Sequence, residues 1–443
     1  MTINYFEAMR YVYSIIAGLF LFPCLSCSTD TAEWLDEEKP TDAVPVKGMK
    51  LVWNDEFNRT ELDADKWFTQ YYSTLDFVTK TKWEQFQSGI LPEPAYKFTG
   101  NSIVLYIDEK KPEKAYWESS GRKISSIQTY DWRLNKNLLG DKVGGYIEAR
   151  IRRNATEGAQ LVNTAFWFDS PGPDAKYFIE EGNTAKNTIG VRPRGQVFEI
   201  DMCEYLNTEI VLHGNVNSKG EYEYSIGKYL VNDVNFKNRW TTHALLWTPN
   251  SLKFYIDGIL KKEWSDPNDI KSPNHYMNIY FGAYGKGGTV STEVDYIRFY
   301  QWDLEEGNEL PNGNFEYGDG LYPWEGDAQI DKNNVKDGKQ ALSIASGKQI
   351  SQYVYVDHTS SYCLEYWSSG CLETKVENII PVVGNVQDTF QKETNFDSYT
   401  KETIVFSSKE EVGINKATVK VTFRNKGNSP VLVDHVVLKK GLR

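Results

Sequence analysis

From Met49 onward, apolar and polar residues alternate in short runs. The clearest are SIVLYID at 102–108, GGYIEARIR at 144–152, TTHALLWTP at 241–249, LKFYIDGIL at 252–260 and VDYIRFYQW at 294–302. Each has the two-residue period of a strand with one buried face. Asp257-Gly258, set between apolar residues, predicts a tight hairpin turn. No long stretch carries the helical period, so the expected class is all-β, with two sheets packed face to face. After Trp302 the run DLEEGNELPNG breaks the alternation with charge, Pro and Gly, which places a boundary there. Alternation resumes over residues 310–443, enough chain for a second, smaller β-sandwich. Within it, Cys363 and Cys371 flank Ser-Ser-Gly as a hairpin would; they close it as a disulfide or remain two free thiols.

The first 48 residues read differently. Arg10 precedes the uncharged apolar stretch YVYSIIAGLFLFPCLS, the plan of a secretory signal peptide over residues 1–26. Leu-Ser-Cys-Ser at 25–28 resembles a bacterial lipobox, with Cys27 as the lipidated residue. Residues 27–48 are polar, acidic and Pro-containing, a tether too poor in apolar surface to fold alone. The acidic stretch just after Cys27 resembles the surface-export signal of Bacteroidetes lipoproteins. An outer-membrane lipoprotein on the cell surface is the implied location, with membrane contact through the lipid anchor only.

Composition narrows the partners. The net charge of -12 removes the electrostatic footprint of a nucleic-acid binder. Thirteen Trp and 28 Tyr exceed what packing usually demands, and aromatic faces stack on the apolar faces of sugar rings; large β proteins also favour aromatics. The five Cys show no repeated CxxC pair of a zinc site.

Chemistry concentrates in GQVFEIDMCEY at 195–205, with three carboxylates in six residues. In a regular strand Glu199 and Asp201 share one face and Glu204 takes the other. One extra residue, absorbed as a β-bulge around Met202 and Cys203, returns Glu204 to the face of its partners. Like charges held close together repel and raise each other's pKa, so crowding of this kind serves chemistry better than stability. A retaining glycosidase requires it: one carboxylate attacks the anomeric carbon and another protonates the leaving oxygen, about 5 to 5.5 Å apart. The middle carboxylate separates their pKa values. A solvated acidic edge or a cation-binding cluster is the competing reading.

EIDMCE matches the ExDxxE signature of glycoside hydrolase family 16 in its bulged form. LVWNDEFN at 51–58, SSGRKISS at 119–126, GGYIEARI at 144–151, NTAFWF at 163–168, LHGNV at 212–216 and VDYIRFYQW at 294–302 follow the family's order. The resemblance covers roughly residues 50–302 and implies a concanavalin A-like β-jelly roll over 49–302. It further implies endo-cleavage, with retention, of β-1,3- or β-1,4-linked glucans or galactans. Carried over by position, Glu199 is the nucleophile, Asp201 the assisting carboxylate and Glu204 the acid/base. Trp167 stacks a sugar or packs the core, and His213 lines the cleft or is structural. Arg194, with Arg192, meets anionic groups of a substrate or balances local acids. Glu56 and Asp295 match positions that hold a structural calcium in some members; no other cofactor is implied. FGAYGKGGTVST at 281–292 carries Tyr284 and no Trp where glucan-cutting members have a Gly- and Trp-rich segment, so the polysaccharide stays open. LPNGNFEYGDG and the closing VLVDHVVL resemble carbohydrate-binding modules, with Trp324, Trp367, Tyr353, Tyr355 and Tyr366 as candidate platform residues or core. A monomer is expected. A non-catalytic glycan-binding lipoprotein on the same fold is the alternative.

Overall fold

The computed structural model describes residues 45–69, 93–107, 122–131, 134, 136–169, 197–214, 225–268, 271–318, 320–380, 384–409 and 415–441. Strands are numbered along the chain. The first sheet runs β14 (Ile259–Trp264), β13 (Ser251–Ile256), β12 (Trp240–Thr248), β7 (Gly145–Ala155), β16 (Val290–Trp302), β3 (Ile103–Tyr106) and β2 (Tyr96–Phe98), with β1 (Met49–Asp55) also on β16. The second runs β11 (Ser225–Leu230), β10 (Glu209–Gly214), β9 (Val197–Glu204), β8 (Gln160–Asp169), β15 (Asn278–Lys286) and β4 (Lys123–Gln128). A short ribbon, β5 (Tyr130–Asp131) with β6 (Lys136–Asn137), completes this part.

The alternating pattern explains the packing. Ile147, Ile151, Leu245, Phe254 and Ile297 of the first sheet meet Phe166, Phe168, Ile200, Leu212, Ile279 and Phe281 of the second in one buried cluster. Burial of each such side chain contributes about 1.5 to 3 kcal/mol. The predicted turn joins β13 to β14, with Asp257 and Gly258 at φ +49° and +73°, the positive angles that a type I′ hairpin needs. The fold expected from the sequence, an all-β jelly-roll sandwich followed by a second β unit, is the one adopted.

In the second unit one sheet path runs β17 (Glu325–Gly326), β20 (Gln349–Asp357), β23 (Lys416–Asn425), β21 (Ser361–Ile380), β24 (Val431–Lys440), β19 (Ala341–Ile344) and β18 (Gln329–Asp331). Along one edge β21 pairs with β24 from Tyr362 to Ser369, then with β23 from Leu372 to Ile379. Its other edge carries β22 (Asn385–Ser407) over the whole length. Ser-Ser-Gly is therefore a bend inside one strand, not the hairpin expected. The register shifts between Ser368 and Gly370, and Gly370 has φ +89°. A Cβ on Gly370 would lie 2.8 Å from Val431 Cγ2, so only glycine fits the corner where β21 passes from one partner to the other. Cys363 and Cys371 sit eight positions apart on that strand as free thiols. No disulfide of usual geometry spans that separation.

The two β units are joined by specific contacts. Trp247 Nε1 donates to the Tyr355 hydroxyl at 2.9 Å, and that hydroxyl donates to Pro273 O at 2.7 Å. Gly144 makes room, since a Cβ there would come within 2.8 Å of the Tyr355 ring. The amides of Asn415 and Lys416 donate to Asn274 O, and Tyr276 N donates to Asn415 Oδ1. The aromatic platform suggested by sequence is dispersed. Trp324 and Tyr366 are core, Tyr355 belongs to the junction, and Trp367 and Tyr353 lie beneath Lys336 and Lys420.

Candidate active site

The bulge sits where the carboxylates require it. On the β8 side Cys203 pairs with Phe166 and Asp201 with Trp167, leaving Met202 unmatched. On the β10 side Glu204 pairs with Glu209 and Asp201 with Val211, so one residue faces two. Met202 and Cys203, adjacent in sequence, both enter the core cluster. Two successive side chains on one face are the signature of a classic bulge, and they return Glu204 to the face of Glu199 and Asp201.

That face, turned away from the core, is built by β8, β9, β10, β15 and β4. His213, opposite Glu199 in the register, brings Nε2 within 3.1 Å of Asp201 Oδ2, and both side chains are buried. Asn163 Nδ2 donates to Glu204 Oε1 at 2.9 Å, while its Oδ1 accepts the Tyr205 amide at 2.8 Å. One amide thus holds both the carboxylate and the next peptide. Trp167 stacks on Tyr280 with centroids 4.2 Å apart, and the pair belongs to a separate buried cluster with Ile124, Ala165 and Tyr284. Trp167 is only 5% exposed, which makes it part of the floor rather than an open stacking surface. Tyr284 folds over Gly282, where a Cβ would lie 2.3 Å from its ring.

Burial pushes the Glu199 carboxyl well above its usual range, and the nearby charges of Asp201, Asp169 and Glu204 push the same way against His213. Burial followed by the Glu204 and Asp169 charges does the same to Asp201. For Glu204 burial again leads, opposed by the Asn163 hydrogen bond and by His213. Glu199 Oε2 is buried with no hydrogen-bond partner among the described residues. An acceptor left unsatisfied at the centre of a polar cluster is poised for an incoming electrophile and costly to stability. The carboxylates titrate as one set, so a proton shared within it can be donated while another member attacks.

Three site residues were not singled out from sequence. Asn163 and Asp169 lie on β8 in step with Trp167, and counting by two from Trp167 finds both. Asp169 is fully buried, opposite Glu199. Arg122 lies over the Tyr284 ring at 5.5 Å and lowers the Glu204 pKa. Arg194 and Arg192 fall outside the described residues, as does Cys27. The calcium expectation meets a different arrangement. Glu56 takes a two-pronged pair from Arg298 at 2.9 Å, and Asp295 takes Arg150 at 2.7 Å. Each carboxylate is matched by its own guanidinium, which satisfies it without a metal. Among the described residues the one group of donors close enough to hold an ion is Glu199, Asp201 and His213, inside the site.

Residues 182–302 match the family model for glycosyl hydrolases family 16. The chain carries a glycoside hydrolase family 16 domain. It is 24% identical over 293 residues to glucan endo-1,3-beta-glucosidase A1 of Niallia circulans, a match covering 59% of this chain. The chain spans 39% of the length of that curated relative. Among solved structures, the GlcNAcα1-4Gal-releasing endo-β-galactosidase from Clostridium perfringens aligns over 71% of this chain and 81% of its own, at 19% identity and a TM-score of 0.43. The catalytic domain of an endo-1,3-beta-glucanase (laminarinase) from Thermotoga petrophila RKU-1 aligns over 58% and 100%, at 15% identity and a TM-score of 0.38. Glu199, Asp201 and Glu204 all fall inside the matched stretch.

Proposed function

We propose that the family 16 domain is a retaining, endo-acting glycoside hydrolase that cleaves β-1,3- or β-1,4-linked glucan or galactan outside the cytoplasm. The observation that carries this reading is the bulge that gathers Glu199, Asp201 and Glu204 on one face. In the first step Glu204 gives its proton to the glycosidic oxygen while Glu199 attacks the anomeric carbon, breaking the C–O bond and forming a glycosyl ester. In the second, Glu204 takes a proton from water, which displaces Glu199 and restores the original anomeric configuration. Asp201, steadied by His213, holds the shared proton that lets Glu199 be anionic at attack. The chemistry requires no cofactor.

The leader supports export and anchoring at Cys27, with the acidic tether favouring the cell surface. Among the described residues no helix is long and apolar enough to cross a membrane. The C-terminal sandwich, similar at its ends to carbohydrate-binding modules, is assigned an accessory role beside the catalytic unit of a monomer.

The test is a digestion panel of laminarin, mixed-linkage glucan, agar, porphyran and mucin-type glycans, with product anomers followed by NMR. Wild-type protein should release oligosaccharides of retained configuration from at least one, and Glu199→Gln should release none while staying folded. Azide should partly rescue Glu204→Ala on an activated aryl glycoside, since only the proton donor and base are missing. Inverted product, or full turnover by Glu199→Gln, removes the assignment. Binding without cleavage across the panel would favour a surface glycan-binding protein.

A further inference from the structure

Arg153 is a cation in the wrong place for a packing residue. It lies on β7 of the first sheet, is 1% exposed, and points through the core toward the second sheet. No carboxylate among the described residues is within ion-pair distance of it, and its Nε has no acceptor. A guanidinium buried without a counter-charge is destabilising, and an apolar side chain of similar size would stabilise the core better. Its neighbour Arg152 shows the ordinary alternative: it is part-exposed and paired with Glu293.

The acceptors of Arg153 account for its position. One terminal nitrogen donates to Tyr205 O at 2.5 Å and to Thr164 O at 3.4 Å, the other to Thr208 Oγ1. The Phe236 ring lies 5.0 Å from the guanidinium carbon. Tyr205 and Thr208 bound the turn that leaves Glu204, and both hold positive φ, +51° and +33°. Side chains other than glycine resist that region, and such a turn persists only where its surroundings impose it. Here the Tyr205 peptide is gripped at both ends, its N–H by Asn163 and its carbonyl by Arg153. Thr164, the third acceptor, directly follows Asn163 on β8.

We infer that Arg153 is a positioning residue for the acid/base, fixing from inside the core the strained turn that aims the Glu204 carboxyl at the leaving oxygen. This rests on the role proposed for Glu204. A displacement of about 1 Å in a catalytic group costs up to roughly a hundredfold in rate. The loss should fall on the step that needs protonation.

The experiment compares kcat/KM of the full chain on a poor leaving group, the β-glycan that the wild type cleaves, with that on a dinitrophenyl β-glycoside, whose departure needs no acid. For Arg153→Met the glycan rate should fall about 10- to 100-fold and the aryl rate less than about threefold. Thr208→Val, which keeps shape and removes the acceptor, should show the same split to a smaller degree. Thr208→Ser and Arg152→Met should match the wild type. Equal loss on both substrates, or no loss on the glycan, overturns the proposal. Should Arg153→Met not fold, Thr208→Val decides alone by the same criterion. Glu204→Ala run alongside separates the two ideas: without a leaving-group split there, the role of Glu204 fails; with it, only Arg153 is at stake.

Discussion

Strands β9 and β21 both break register, for different ends. β9 carries one residue too many against both neighbours, at Met202, whereas at the break in β21 the surplus lies in β22, whose Asp397, Ser398 and Tyr399 face Ser369 alone. In β9 the extra residue leaves the strand in its sheet and changes which way Glu204 points. In β21 the break comes with Gly370 in a left-handed conformation, where the strand alongside changes from β24 to β23. A register break therefore either re-aims a side chain or re-aims the chain, and glycine marks the second use. The energetic balance differs accordingly. In β9 the result is a set of buried carboxylates that oppose one another, whereas in β21 it is a continuous apolar core through Leu364, Tyr366, Leu372 and Val376.

Changing the residue count should separate the two uses most sharply. Inserting one alanine between Cys203 and Glu204 moves the carboxylate one position along β9 and sends it toward the core. Hydrolysis of the glycan should then fall by about 10²- to 10⁴-fold, the usual worth of a general acid. An insertion variant that stays folded and retains more than a tenth of wild-type turnover would break the comparison. In β21 the matching change is Gly370→Val, which meets Val431 and forces a β-branched residue into positive φ. It should cost about 2 to 3 kcal/mol of stability in chemical denaturation while leaving kcat/KM of the folded fraction within about twofold. A larger effect on turnover than on stability would mean that the second β unit does more than dock.

The contrast also shows what was legible in the sequence. Alternation and the Asp257-Gly258 turn are local signals, and each maps onto an observed strand or hairpin. The β9 bulge could be inferred because three carboxylates make no sense on opposite faces. Nothing comparable constrained Ser-Ser-Gly, whose neighbours read equally well as two strands or as one bent strand; the pairing that decides comes from residues more than fifty positions away. Distance in sequence likewise hid the Glu56–Arg298 pair, separated by 242 residues, and left the calcium reading open. Arg153 escaped for another reason, since a charge facing the core is what a hydrophobic pattern least expects.

The acidic cluster should itself cost stability. Because burial and like charge raise the folded pKa values of Glu199 and Asp201, their contribution is intact at low pH and is lost as pH rises through those raised values. Glu199→Gln removes one member of the set. At pH 7 it should melt above the wild type, by about 1 kcal/mol or roughly 2 °C, and the advantage should shrink toward pH 4, where the wild-type carboxyls are protonated too. Thermal denaturation at the two pH values measures this directly. A variant less stable than the wild type at pH 7 would mean that the site is not the strained region the comparison makes it.

The smallest expected effect tests how finely the bulge places Glu204. Burial raises its pKa, and the Asn163 hydrogen bond, made to the ionised form, pulls it back. Asn163→Ala removes the pull, so the pKa should rise. As the general acid must be protonated, the alkaline limb of the kcat/KM profile should move upward, by up to about one pH unit for a hydrogen bond to a charged group worth roughly 1.5 kcal/mol. Asn163 also holds the Tyr205 amide, so some rate is lost at every pH, but a loosened turn alone lowers the whole profile and leaves the limb in place. A limb that stays put or moves down would show that the amide serves the backbone and not the proton. The re-aiming of Glu204 would then be set entirely by the strand and the turn behind it.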